Sequence, residues 1–83
     1  MSISDYRTNL EIRKEKFLLL KSWGYSLATL NFGNIAENVT LGEGCLVETN
    51  AFVAPFAQIR PNVHIAPCVS IGHHSRIGAH CHI

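Results

Sequence analysis

The sequence predicts a mainly β protein: a parallel β-helix of just under three coils, preceded by one N-terminal α-helix. Two observations predict the solenoid. Stepping by six from Ile35 gives Ile35, Leu41, Val47, Val53, Ile59, Ile65, Ile71, Ile77 and Ile83, all branched aliphatics, although Ile, Leu and Val together make up only 21 of the 83 residues. Four residues after each come Val39, Cys45, Ala51, Ala57, Val63, Val69, Ser75 and Cys81, none larger than valine. A third observation sets the helix apart. Eight of the 13 charged residues lie in 1–21, and only Glu37, Glu43, Glu48, Arg60 and Arg76 lie beyond.

The helix comes first in the chain. Thr8 and Glu11 are spaced as a capping box. Leu10, Phe17 and Leu20 share a face at helical spacing. Lys14, Lys16 and Lys21 bring positive charge toward the C-terminal end, where the helix dipole favours it. Gly24 stands where a stop is expected, and 25–30 can run extended. Phe17, Leu18, Leu19, Leu20 and Trp23 read as packing residues. The domain boundary falls after residue 34, giving 1–34 and 35–83.

A period of six suits neither an amphipathic helix nor a hairpin sheet; it marks a parallel β-helix. Each hexapeptide supplies one short strand and one turn, and three complete a triangular coil. The aliphatic fills the interior, and the small residue four on fits near a corner. Gly or Ala directly after the aliphatic, as at Ala36, Gly42, Ala54, Ala66, Gly72 and Gly78, is expected to ease the turn. Residues 18 apart then stack about 4.8 Å from one another. Ile35, Val53 and Ile71 form one ladder, Leu41, Ile59 and Ile77 a second, and Val47, Ile65 and Ile83 a third. Cys45 and Cys81 fall two rungs apart, roughly 9–10 Å and beyond disulfide reach, so both read as small buried hydrophobes. Cys68 lies off that column and turns outward. The chain stops on the inward position Ile83 with no polar cap, from which a fragment, or a covering partner chain, is expected.

Composition narrows the function classes. A net charge of +1 argues against nucleic acid and acidic membranes as partners. The longest aliphatic-aromatic run, Phe17–Leu20, is too short for a membrane span or a signal peptide core. Three cysteines without a Cys-x-x-Cys pair suit a reducing, cytoplasmic setting. All five histidines fall at or after His64. His64 and His82, 18 apart, should stack, yet two side chains fall short of a zinc site.

The run "NIAENVTLGEGCLVETNAFVAPFAQIRPNVHIAPCVSIGHHSRIGAHCHI" resembles the hexapeptide-repeat acyltransferases, and among them the sugar O- and N-acetyltransferases of the sialic-acid and bacillosamine type. The segment "YRTNLEIRKEKFLLLKSWGYSLATL" is similar to the exit of their N-terminal sugar-binding domain. The resemblance implies a left-handed parallel β-helix. It implies acetyl-coenzyme A as co-substrate, a sugar or nucleotide-sugar hydroxyl or amine as acceptor, and a homotrimer with sites between subunits. The family's motif places its base before an "x-I-G" repeat start, with another histidine nine residues later. On "IGHHSRIGAHCHI" this implies His73 as the catalytic base and His82 as a donor- or acceptor-binding residue. His74 is adjacent and a candidate for the same site. An imidazole suits the task because it exchanges its proton near neutral pH. The carboxylate that commonly flanks the family's base is absent, since the neighbours are Gly72 and His74. The bland reading of His73, His74 and His80 is a solvated turn.

Two other functions fit the same solenoid. A γ-type carbonic anhydrase needs two zinc histidines five residues apart, a separation found nowhere among His64, His73, His74, His80 and His82, so no metal is expected. A truncated solenoid that only trimerises or packs on a larger chain is the non-catalytic alternative.

Overall fold

The computed structural model describes residues 3–83, with side chains from Glu11 onward. Helix α1 spans Ile3–Ser22. It begins upstream of Thr8, so Thr8 and Glu11 lie within the helix rather than capping it; the Thr8 side chain is outside the described residues. The helix ends as expected. Gly24 adopts φ +86°, its N–H donates to Lys21 O at 3.0 Å, and the Tyr25 N–H donates to Leu20 O at 3.1 Å. These two bonds satisfy carbonyls that the last turn would leave unpaired. Among the described residues no helix is long and apolar enough to cross a membrane.

Nine two-residue strands follow: β1 (Leu30–Asn31), β2 (Asn34–Ile35), β3 (Thr40–Leu41), β4 (Leu46–Val47), β5 (Phe52–Val53), β6 (Gln58–Ile59), β7 (His64–Ile65), β8 (Ser70–Ile71) and β9 (Arg76–Ile77). They form three parallel sheets, β1-β4-β7, β2-β5-β8 and β3-β6-β9. The result is a left-handed parallel β-helix of about three coils. The ladders have the registers that the stride of six requires. Ile35 pairs with Val53 and Val53 with Ile71; Leu41 pairs with Ile59 and Ile59 with Ile77; Val47 pairs with Ile65. Backbone bonds such as Leu46 N–H to Val63 O at 2.9 Å and Gln58 N–H to Ser75 O at 2.8 Å tie rung to rung.

The sequence pattern did not announce β1. It pairs with β4 at an offset of 16, Leu30 to Leu46, whereas every other pair is offset by 18. Upstream of Ile35 the stride is broken: Thr29 stands where an aliphatic would fall. The shortened rung turns tightly at Gly33, where a Cβ would lie 2.5 Å from Ala51 O.

Val47, Ala51, Val53, Ala57, Ile59, Val63, Ile65, Cys45 and Ile71 form the solenoid core. Both strides therefore point inward through the middle rungs. Cys81 departs from expectation: it is exposed, whereas Cys45 is buried. Cys81 lies in the last described rung, whose backbone is bonded to the rung below through His64 N–H to Cys81 O at 2.9 Å. All three cysteines are free, and Cys68 is exposed as expected. Burial pushes the Cys45 thiol up, and its Sγ lies 3.2 Å from Arg60 O.

The corners turn at a different residue from the one expected. The left-handed backbone falls three residues after each aliphatic, at Asn38, Gly44, Asn50, Phe56, Asn62, Cys68, His74 and His80, with φ between 58° and 70°. Among the glycines after aliphatics, Gly42 is needed for space rather than for φ. A Cβ there would lie 2.5 Å from Pro61 N and 2.8 Å from the Arg60 carbonyl carbon. At the corner position Asn and Gly are the least strained residues, and others are disfavoured. Cys68→Asn is therefore expected to stabilise the fold by about 0.5–1 kcal/mol. Its side chain is exposed, and its N–H keeps the bond to Thr49 O. A rise in the urea midpoint at constant slope checks this.

Helix α1 lies along one corner, the one between β3-β6-β9 and β1-β4-β7. Lys21 Nζ is 2.7 Å from Glu43 Oε1, Phe17 sits edge-on to His80 at 5.3 Å, and Arg13 Nη2 donates to Asn62 O at 3.3 Å. Contact is thus carried by Arg13, Phe17 and Lys21, each four residues apart. A corner is a ridge, and a ridge touches one stripe of a helix. The expected packing of Leu18, Leu19 and Trp23 is accordingly not found; they stand exposed, Trp23 at 64%. Phe17 alone of that group is buried.

Candidate functional site

The histidines divide among three places on the triangular prism. The first is the corner between β2-β5-β8 and β3-β6-β9. Glu37, Pro55 and His73 stand in one column there, and Asn38, Phe56 and His74 in the next. His73 is exposed. Its Nδ1 lies 3.0 Å from His74 Nδ1, with the two rings near perpendicular. His74 is held by its backbone, at φ 58° with its N–H donating to Pro55 O at 3.1 Å. Its ring stacks on Phe56 with centroids 5.0 Å apart and 13° between planes. Two neutral imidazoles that meet at Nδ1 share one proton between them, because one must donate and the other accept. The outer nitrogens remain open to solvent chemistry.

The second place is the outer face of β1-β4-β7. His64 and His82 occupy successive rungs there, joined by a parallel bridge, and their rings stack at 4.3 Å and 5°. This is the stacking that their 18-residue separation predicts. His64 Nε2 lies 3.3 Å from Glu48 Oε2, close enough for an ion pair if the ring is protonated. The alignment is poor for a hydrogen bond, and Nε2 is otherwise buried without a partner. Among the described residues no group of three or more His, Cys, Asp or Glu is placed to hold a metal ion.

The third place is the corner under α1. His80 is half-buried, not the free turn residue expected from sequence. Asn62 Nδ2 meets His80 Nδ1 at 2.8 Å, and Phe17 covers the ring edge. Desolvation, then the charges of Lys14 and Arg13, holds the ring's pKa below the ordinary 6.5. Glu43, on the same corner, is held below the ordinary 4.5 by its bond to Lys21 and by the Leu27 N–H at 3.2 Å. Both shifts have the same sign for stability. The unfolded chain takes up each proton more readily, so each contribution is present above the ordinary value and is lost as pH falls through the lowered one. The urea midpoint is therefore expected to fall in two stages on acidification, first below 6.5 and again below 4.5. His80→Asn removes the first stage only, and denaturation series at several pH values would show it.

The structure thus brings His73 and His74 together and sets His82 apart. His73 stands on the corner opposite the face that carries His82, so one copy of the chain cannot close both on one ligand. Phe56 is the residue that sequence reasoning missed. Its signal was present: it lies one coil, 18 residues, before His74.

Residues 53–83 match the family model described as bacterial transferase hexapeptide (six repeats). No curated protein and no solved structure matches the chain. The matched segment contains all five histidines, and it supports a hexapeptide solenoid of transferase or trimerising type.

Proposed function

We propose that the chain takes part in acetyl transfer from acetyl-coenzyme A to a hydroxyl or amine of a sugar or nucleotide-sugar. The reading rests on one observation: a pair of exposed, mutually bonded histidines, His73 and His74, on a corner of the segment that matches the transferase hexapeptide model. On this reading His73 removes the acceptor proton as the acceptor attacks the thioester carbonyl. The carbon–sulfur bond then breaks, and the thiolate leaves to take up a proton. His82, on the opposite face, serves a site completed by a neighbouring copy, which makes a homotrimer the working assembly. Residues 1–34 correspond to the exit of an acceptor-binding domain, and the unpaired thiols suit the cytoplasm. No resident metal enters the mechanism.

Titration with acetyl-coenzyme A tests the reading. Saturable binding, weakened at least tenfold by His82→Ala, is the expected result. Absence of binding at millimolar donor would overturn it. That outcome would favour the second reading, a non-catalytic trimerisation or packing module, for which the exposed Leu18, Leu19, Trp23 and Phe32 speak.

A further inference from the structure

We infer that His74 is a positioning residue for His73: it accepts the Nδ1 proton of His73, is itself held by Phe56, and so leaves His73 Nε2 bare as the basic atom. The inference deepens the proposed function and rests on it for its catalytic meaning. Its geometry stands independently.

Three observations converge on the corner. The first is the 3.0 Å contact between His73 Nδ1 and His74 Nδ1. With both rings neutral, a single proton lies on that line. When it belongs to His73, the lone pair of His73 Nε2 faces outward. When His73 then takes a second proton from an acceptor, the resulting cation still donates through Nδ1 to a neutral ring, and charge strengthens that bond. His74 so occupies the role that a flanking carboxylate would play, without fixing a negative charge beside the base.

The second is the occupancy of the corner column. Asn38, Gly44, Asn50 and Asn62 place the easiest residues at left-handed positions. Phe56, Cys68, His74 and His80 do not, with φ between 58° and 67°. His80 has a structural reason in its contact with Phe17 and Asn62; His74 has no such cover and is exposed. The third is that two of these residues meet: Phe56 stacks on His74 at 5.0 Å, a contact of the size that offsets the strain of their left-handed backbones. The stack does fix the plane of His74, and with it the direction in which Nδ1 points.

Long-range proton–nitrogen NMR of the ring nitrogens in the full chain reads the tautomer directly, at about pH 8 where imidazoles are neutral. Free histidine prefers the proton on Nε2. The expected result is that His73 carries it mainly on Nδ1. His74→Ala should reverse that ratio, and Phe56→Ala should move it partway. Asn is suited to the left-handed corner, and its Oδ1 falls near the place of His74 Nδ1, so His74→Asn should retain the wild-type ratio. A merely structural role for His74 would leave the tautomer unmoved in His74→Ala. Amide spectra report whether each variant folds, and His74→Asn keeps the test open if His74→Ala does not. A His73 ring protonated mainly on Nε2 in the wild type, or a ratio unchanged by His74→Ala, would overturn the inference. The spectra need no acyl donor, so a failed titration with acetyl-coenzyme A would sink the proposed function and leave the tautomer result to be judged alone.

Discussion

Ile65→Ala is expected to remove about 2–5 kcal/mol of stability, which is a large share of the roughly 5–15 kcal/mol that holds a domain together. An 83-residue chain has a small core and little reserve. Ile65 is fully buried, stacked on Val47 in the ladder β4-β7 and enclosed by the core cluster. The site cannot collapse to fill the gap. Its strand is bonded to the rungs on both sides, with Leu46 N–H to Val63 O at 2.9 Å, Glu48 N–H to Ile65 O at 3.0 Å and His64 N–H to Cys81 O at 2.9 Å. A cavity in the narrow shaft therefore persists. Ile77→Ala is the internal comparison. It makes the same chemical change in the same kind of ladder, but Ile77 is only partly buried at the edge of the core. Its loss should be less than half as large. Urea denaturation with an unchanged slope would measure both. Equal losses would show that the central shaft is not what holds the rungs.

That comparison bears on what could be read from residues alone. The shaft was legible because packing demands it at every sixth position, so one error would break a ladder and none occurs from Ile35 on. The corners were less legible. Their constraint is on φ, and φ can be met at some expense by Phe56, Cys68, His74 and His80 as well as by Asn or Gly. Only Asn38, Gly44, Asn50 and Asn62 carried the signal, and it lies three residues after the aliphatic rather than one. The helix was legible at its C-terminal end, through Gly24, and in part at its contact face. Phe17 is buried and Leu20 half-buried on the face the spacing pointed to, and the Leu10 side chain lies outside the described residues. A ridge-shaped partner adds Arg13 and Lys21 on that side while leaving Leu18, Leu19 and Trp23 exposed. Of the candidate site, the separation of His64 and His82 predicted their stacking, and adjacency alone could not predict that His73 and His74 meet through Nδ1. Side-chain direction at an exposed corner depends on the stack with Phe56, a contact made by neither neighbour in sequence.

The position of His82 leads to the second large effect. If His73 is the base, His73→Ala should lower the rate of acetyl transfer by roughly 10²–10⁴-fold. His82→Ala should act mainly on donor affinity. These two residues sit on a corner and on the face opposite it, so a working site drawn from both needs the corner of one copy set against the face of the next. Such a contact is heterologous, and three copies can close it into a ring. The arrangement makes a definite demand on mixtures. In rings assembled from equal amounts of the two variants, a site is intact only when an intact His73 faces an intact His82. Random assembly produces that pairing at about one site in four. At donor concentrations well below saturation, where the affinity loss of His82→Ala lowers its rate in proportion, co-refolded mixtures should therefore recover about a quarter of wild-type transfer, more than the mean of the two variants measured alone. A site contained within one chain predicts no recovery, because every copy would still lack one of its two histidines. Measured transfer in the mixture no greater than the mean of the separate variants would rule out the shared site, and with it the need for a ring.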